Sequence, residues 1–353
     1  MSETLLSLSY APNVFREAVS TAPAPPSTFL AGNRPPIRVE STLGKIAILP
    51  VESLHEILGH CSIYTLVTFR LVCENSKRLV DTLLPYGRLV VAAPALLATL
   101  LRTKCATFFT AYDVYHVLTN PACFSCGRFG AFMYLVECAR CCAWCLRYSP
   151  KTMPMTLAEA KSVFKLTDKQ LANGQIPVVS SLPGRRVIRV GGRERDYKTV
   201  KLVSGDHARL FALFTHGNEQ ALAELIASGT SRTHENYRQR QHAKALLTDQ
   251  NTEAYVRNNP TREHRYRFLA STHLPYVPAF NPTPTIEWGV CCQGCQDAFA
   301  NALAADTLRG DRGWALTRRR DTEYTVAEFL QHVTTCPETQ TKLQNSQITK
   351  AGD

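Results

Sequence analysis

Paired cysteines define the chemistry open to this chain. Cys123-Phe-Ser-Cys126 and Cys142-Ala-Trp-Cys145 are two Cys-x2-Cys pairs with 15 residues between them. Each pair can hold two thiolates on one tight turn, and two such turns can enclose a tetrahedral zinc about 2.3 Å from each sulfur. Gly127 follows the first pair, where a knuckle often needs a positive φ so that backbone N–H groups face the sulfurs. Cys138-x2-Cys141 is a further pair of the same spacing. The ligand choice therefore stays open between the preferred Cys142 with Cys145, the later pair, and a set in which Cys138 or Cys141 replaces one of them. Iron–sulfur spacing is absent. A redox dithiol would need a βαβ setting that the sequence does not offer.

A second group combines Cys292-Gln-Gly-Cys295 with His332-Val-Thr-Thr-Cys336. Three sulfurs and one imidazole make another closed zinc set. His332 and Cys336 are i, i+4 and so share one face of a helix. Zinc held by four protein ligands has no open position for water, so two structural zinc ions are expected rather than a catalytic one. Neither a phosphate-binding Gly-rich loop nor a nucleophile elbow is present. Asp206-His207 reads as a helix start, not a base. The chain is expected not to be an enzyme.

Of thirteen cysteines, all but Cys61, Cys73 and Cys105 fall in these two groups. Clustered cysteines in a reducing compartment bind metal more often than they pair. The N-terminus lacks a basic segment followed by an apolar one, and no apolar run reaches the roughly 18 residues that span a bilayer. A cytoplasmic or nuclear protein is expected. The formal net charge is +11. Much of the excess lies in RRVIRVGGRERDYKTVK (185–201) and in the stretch 231–267, where Arg238, Arg240 and Lys244 fall near one helical face beside Tyr237. Such stretches can bind phosphates. A zinc-dependent nucleic-acid-binding protein is therefore the alternative reading, but the aromatic–basic interleaving of an RNA-binding sheet is missing.

The elements that must position these residues follow from pattern. Residues 1–44 are proline-rich and read as a disordered arm. Residues 94–119 look helical. Thr156-Leu-Ala-Glu159 and Thr167-Asp-Lys-Gln170 are capping boxes before short helices. RRVIRV and YKTVKLV alternate around GGRERD and read as a hairpin. DHARLFALF and GNEQALAELIASG read as a helix pair stopped by Gly229. Thr325 caps a last helix that carries His332. The fold class is α+β, mostly α-helical. It divides into an arm (1–44), a helical unit (45–85), a helical region with the first, four-cysteine zinc site (86–182), a hairpin with a charged helical region (183–286), and the second Cys/His region with its helix (287–353).

In the helical unit Pro50 can open a helix, since its missing N–H would have no partner in the first turn. Leu54, Ile57 and Leu58 then make one apolar stripe at i, i+3 and i+4. Gly59 and His60 break it. Leu66, Phe69, Leu71 and Val72 begin a second amphipathic segment, and Leu79 and Val80 a third. Three such short helices bury little by themselves and need a partner or the rest of the chain.

This stretch resembles an F-box. The family runs Leu-Pro-x-Glu, an Ile-Leu pair, a Leu about eight residues on, then Arg-x-Val-Cys and a Leu. Here these are Leu49-Pro50-x-Glu52, Ile57-Leu58, Leu66, Arg70-x-Val72-Cys73 and Leu79. Glu74, Asn75 and Ser76 stand where many F-boxes carry a Trp. The resemblance implies docking on the Skp-family adaptor of an SCF-type cullin–RING ubiquitin ligase through Leu49, Pro50, Ile57, Leu58, Leu66, Phe69, Arg70 and Val72. The chain would be the ligase's substrate-recognition subunit, with an unknown protein as its target.

Over residues 45–336 the chain is similar to a group of fungal F-box proteins that carry both cysteine groups. The shared motifs are Cys123 to Gly130, Arg140-Cys-Cys-Ala-Trp-Cys145, Leu182-Pro-Gly184, Trp288-Gly-Val290 and Phe329-Leu-Gln-His332 through Cys336. The target is expected to offer an acidic or phosphorylated segment, met by Arg185, Arg186, Arg189 and Arg193, because guanidinium pairs bidentately with such groups.

Overall fold

The computed structural model describes residues 6–11, 19–24, 43–171, 176–186, 195–246, 266–279 and 285–351. Strand β1 (Ser9–Tyr10) lies near the start of the described residues. A 3-10 turn at Gly44–Ile48 leads into α1 (Val51–Gly59), whose N-cap is Pro50. The helices α2 (Ile63–Phe69) and α3 (Glu74–Asp81) follow, each fixed by a local cap. Ser62 Oγ accepts the Thr65 N–H at 3.1 Å. Cys73 Sγ accepts the Ser76 N–H at 3.4 Å while Ser76 Oγ accepts the Cys73 N–H at 3.0 Å, so this cysteine serves as an N-cap.

Helices α4 (Leu84–Ala92) and α5 (Pro94–Arg102) meet at 101°. The bend is at Ala93, because Pro94 can start a helix but not continue one. The pair is apolar enough to resemble a bent membrane span, yet Leu89, Leu96, Leu97 and Leu100 are buried in the core. No single helix among the described residues is long and apolar enough to cross a membrane. α6 (Ala111–Thr119) starts in a capping box between Thr110 and Asp113.

β2 (Phe132–Tyr134) and β3 (Ala139–Cys141) then form a hairpin, followed by the short α7 (Ala143–Tyr148). β4 (Met155–Thr156) enters α8 (Leu157–Phe164), which precedes α9 (Asp168–Leu171). The expected caps form at both: Glu159 N–H donates to Thr156 Oγ1 at 3.1 Å, and Gln170 N–H to Thr167 Oγ1 at 3.3 Å.

β5 (Val179–Ser180), β6 (Gly184–Arg186), β7 (Arg195–Tyr197) and β8 (Lys201–Val203) come next. They lead to α10 (Gly205–His216), α11 (Glu219–Ser228) and α12 (Arg232–Leu246). The remainder holds α13 (Tyr266–Leu269), β9 (Ser271–His273), β10 (Cys291–Cys292), α14 (Gln293–Ala304), α15 (Gly310–Arg320), α16 (Val326–Thr335) and α17 (Pro337–Ala351). The chain is mostly helical with a few small sheets, as its pattern predicts.

Among the described residues three apolar cores form, and they do not follow the sequence boundaries. The first runs without a break from Leu54, Leu58 and Leu66 through Cys123, Phe132 and Cys145 to Leu274 and Val277. The helical unit 45–85 thus shares one core with the first cysteine group. Ile63 N–H donates to Phe109 O at 2.9 Å and Ala111 N–H to Cys61 O at 3.2 Å, which fastens α2 to the start of α6. The second core gathers Met155, Phe164, Leu222 and Tyr237 from β4, α8, α11 and α12. The third surrounds Cys292, Cys295 and Cys336 with Phe329 and Val333.

Several expectations are corrected. Within the described residues, the segment read as a disordered arm is pinned at two places. β1 pairs antiparallel with β10, Ser9 opposite Cys292, and Leu6 and Leu8 pack on the third core. Val19 and Ser20 are buried, and Ser20 N–H donates to Ser271 O at 2.7 Å. Proline density signals poor local structure but is blind to strand addition onto a distant edge.

Among the described residues the hairpin is the antiparallel pairing of β6 with β7, and residues 187–194 lie outside them. β8 instead pairs with both β4 and β5, which explains the apolar Leu202 and Val203 in that segment. The helix capped by Thr325 is not the last, since α17 follows it.

Candidate docking face and metal-binding groups

The F-box-like helices split the sequence-selected residues into two sets. Leu58, Leu66 and Arg70 are buried within the chain itself. Leu66 is wholly enclosed, and Phe69 is half-buried against the same core. Arg70 makes a bidentate ion pair across α2 and α3, with Nε at 2.6 Å and Nη2 at 3.1 Å from the Asp81 carboxylate oxygens. These residues hold the unit together and are not a free contact surface.

Leu49 and Pro50 are exposed, Ile57 is 52% exposed and Val72 69%. Ile48, Val51, Tyr64, Leu71 and Leu84 are also large and exposed, and the sequence pattern did not single them out as contacts. The usable signal was the turn between α2 and α3, where Leu71 and Val72 follow the helix end and so leave the buried stripe. So many exposed apolar side chains within a few short helices mark an interaction surface.

The first cysteine group assembles from three local devices. The turn after α6 carries Cys123 and Cys126, with Gly127 at φ +74°. The β2–β3 hairpin returns the chain, and Cys142 caps α7, its Sγ accepting the Cys145 N–H at 3.3 Å. The Cys123, Cys126, Cys142 and Cys145 sulfurs all lie within 4.8 Å of one another. Cys126 Sγ and Cys142 Sγ are 3.7 Å apart. A disulfide would need about 2.05 Å, whereas a tetrahedral ion with arms of about 2.3 Å needs edges of about 3.8 Å.

Cys138 and Cys141 lie outside this set. Cys141 donates its S–H to Cys142 O at 3.4 Å, and burial pushes its thiol up. The site rests on Arg140, which is 3% exposed. Its guanidinium donates to the carbonyls of Val117, Leu118, Gly130, Leu274 and Pro275 and so clamps the surrounding loops. Gly130 is required there, because a Cβ would stand 2.7 Å from the Cys141 carbonyl carbon.

The second group brings Cys292 and Cys295 at the start of α14 to His332 and Cys336 at the end of α16. Cys336 Sγ is 3.8 Å from both Cys292 Sγ and Cys295 Sγ, and His332 Nε2 is 3.5 Å from Cys295 Sγ. These again are the edges of a four-coordinate set. With Nε2 turned inward, His332 Nδ1 faces Tyr324 Oη at 3.3 Å, the outer partner that fixes a ligand imidazole's tautomer. Thr339 Oγ1 lies 3.1 Å from Cys292 Sγ, and Arg319 Nη2 donates to Cys336 Sγ at 3.7 Å.

Hydrogen bonds among the thiols pull Cys123 and Cys292 well down, the latter to about 3, and push up Cys142, Cys145 and Cys295. Close sulfurs cannot all carry negative charge unless a cation sits among them.

The basic residues singled out as a phosphate-binding face turn inward. Arg238 donates to the carbonyls of Ile226 and Gly229 and pairs with Glu235; Lys244 pairs with Asp206. Arg240 approaches Glu159 at 3.9 Å, and Tyr237 is buried. In the hairpin, Arg186 is buried and donates to the carbonyls of Val19 and Leu182, while Arg185 sits 3.3 Å from Asp196. The four-arginine surface expected there therefore does not form at Arg186, and Arg189 and Arg193 lie outside the described residues.

A family model, the F-box domain, matches residues 46–87. No curated protein and no solved structure matches the chain.

Proposed function

We propose that this chain is a non-catalytic substrate-recognition subunit of an SCF-type ubiquitin ligase, docked on a Skp-family adaptor. The observation that carries the reading is the exposed apolar surface of residues 46–87, the stretch that matches the F-box domain. Leu49, Pro50, Ile57 and Val72 supply contacts, joined by Leu71 and Tyr64. Leu58, Leu66, Phe69 and Arg70 give the surface its shape from beneath. Each large apolar side chain fully buried at such a contact contributes about 1.5–3 kcal/mol.

The two cysteine groups each hold a structural zinc. Thiolate-rich, closed tetrahedral sets suit zinc, which has no redox chemistry and no directional preference of its own. The ions fix loops and helix ends that bury little apolar surface. Target recognition then falls to the part of the chain outside the F-box.

Co-purification of the chain with a recombinant Skp-family adaptor tests the docking. Ile57→Asp with Val72→Asp places charge in an apolar contact, at a cost of several kcal/mol. The pair of substitutions is expected to abolish capture of the adaptor while the melting temperature stays near that of the parent. Capture at parental strength would sink the assignment.

A further inference from the structure

Arg140 and Arg267 are both buried beside the first cysteine group, and they differ in what meets their charge. Arg140 reaches five carbonyl groups. Burial pushes its guanidinium down, and Tyr276 and the Glu323 carboxylate oppose that shift. Arg267 is 1% exposed and has no carboxylate partner among the described residues.

Arg267 belongs to α13, which packs on α7, the helix that carries Cys145. Phe268 and Leu269 of the same short helix are buried in the first core. Arg267 Nη1 donates to Ser149 O at 2.6 Å and to Thr152 Oγ1 at 3.1 Å. Both acceptors are tied to Cys145. The Ser149 N–H donates to Cys145 O at 2.9 Å, and Thr152 Oγ1 donates to the same carbonyl at 2.8 Å. Arg267 Nε and Nη2 are buried and have no hydrogen-bond partner among the described residues.

A buried cation without a counter-charge is costly. Burial pushes the Arg267 guanidinium down to about 10, and negative charge on Tyr134, Cys141 or Cys145 would oppose that shift. Burial also pushes the Tyr134 phenol and the Cys141 thiol up, away from their anions. Of the three, Cys145 belongs to the four-sulfur set, and a cysteine bound to zinc is a thiolate. Arg240, a like charge that bears on Arg267, lies 3.9 Å from Glu159.

Four thiolates around one divalent ion carry surplus negative charge, which a dry interior makes costly in turn. The second group has one thiolate fewer, and there Arg319 Nη2 donates directly to Cys336 Sγ at 3.7 Å. The first group has its arginine one step further out, behind Ser149 and Thr152.

We propose that Arg267 is the buried counter-charge of the first cysteine group and sets how tightly that group retains zinc. It is a positioning residue, not a ligand. The assignment rests on the reading of this group as a zinc site.

The test titrates the full chain with a zinc chelator and follows its two ions separately. The first-site ion is the one that Cys126→Ser removes. Arg267→Gln keeps a neutral hydrogen-bond donor and should weaken that ion by about 10–100-fold, the range for loss of an outer partner. The other ion should be held as in the parent. Arg267→Lys restores the charge without the guanidinium fork and should hold the first ion near the parental strength. Cobalt in place of zinc gives a second reading. Without the neighbouring positive charge, thiolate electrons are held less tightly. The thiolate-to-cobalt absorption should therefore move to longer wavelength in Arg267→Gln and keep its parental position in Arg267→Lys. A hydrogen-bonding role alone would not follow the charge in this way.

First-site zinc held as tightly by Arg267→Gln as by the parent overturns the proposal. So does equal weakening by Arg267→Gln and Arg267→Lys. If Arg267→Gln does not fold, Arg267→Lys decides: first-site zinc retained supports the counter-charge, and first-site zinc lost overturns it. A parent protein without a Cys126-dependent zinc defeats the zinc reading and the counter-charge with it. A parent that holds this zinc, with variants that match it, defeats the counter-charge alone.

Discussion

Cys141 and Cys142 are sequence neighbours with different surroundings. Cys141 ends β3 opposite Phe132, and burial pushes its thiol up. Cys142 caps α7 and joins the four-sulfur set. Cys142→Ser is expected to cost one of two zinc ions per chain by elemental analysis, while Cys141→Ser keeps both. Retention of two ions in the first variant would place the ligand elsewhere. The same contrast separates Leu66 from Ile57. Leu66 is enclosed by the chain, so Leu66→Ala should cost about 2–5 kcal/mol in a denaturant melt. Ile57→Ala, at an exposed position, should leave the melt within about 0.5 kcal/mol of the parent. Equal destabilisation by the two would contradict the buried and exposed sides assigned to α1 and α2.

At the scale of elements, short pieces are held by long-range ties. β2 and β3 are three residues each, and β9 completes their sheet from far along the chain. Arg140 locks this arrangement through its five carbonyl contacts. Burial pushes its guanidinium down to about 9, still charged at neutral pH. Arg140→Met leaves those acceptors without donors, and a loss of at least about 3 kcal/mol is expected. A denaturant midpoint close to that of the parent would show that the loops close without it.

β1 gives a second case. It adds to β10, which carries Cys292, so deletion of residues 1–11 exposes that edge and uncovers Cys292 beneath Leu6 and Leu8. The shortened chain should surrender its second zinc to a chelator faster than the full chain while still capturing the adaptor. Unchanged release would reduce β1 to an ornament of the edge.

For the molecule as a whole, the continuous first core has a functional consequence. The F-box helices and the first cysteine group belong to one packed unit, and the second group anchors a separate core. Zinc binding to such sets is folding free energy. Cys126→Ser should therefore weaken adaptor capture as well as remove one zinc. Cys295→Ser should remove the other zinc and leave capture near the parental level. If both variants captured equally well, the F-box would have to fold independently of the core it shares.

Helix starts, the F-box-like stretch and the presence of two cysteine-rich groups that could hold a metal were legible from residue order alone, whereas the choice among Cys138, Cys141 and Cys142 was left open there. Each depends on neighbours in sequence: a Thr three residues before a Glu, a Cys two residues from a Cys, apolar residues at helical spacing. Those relations act within one or two turns, and local geometry decides them. Which F-box residues are covered by the chain and which are free was not legible, because Leu66 and Val72 both fit an amphipathic pattern. Only the packing of α2 against the segment around Cys105–Phe109 separates them. The placing of β1 on β10, of β8 between β4 and β5, and of Arg186 against Val19 was hidden for the same reason. Each joins residues far apart in the chain, and burial and pairing at that distance are properties of the assembled cores.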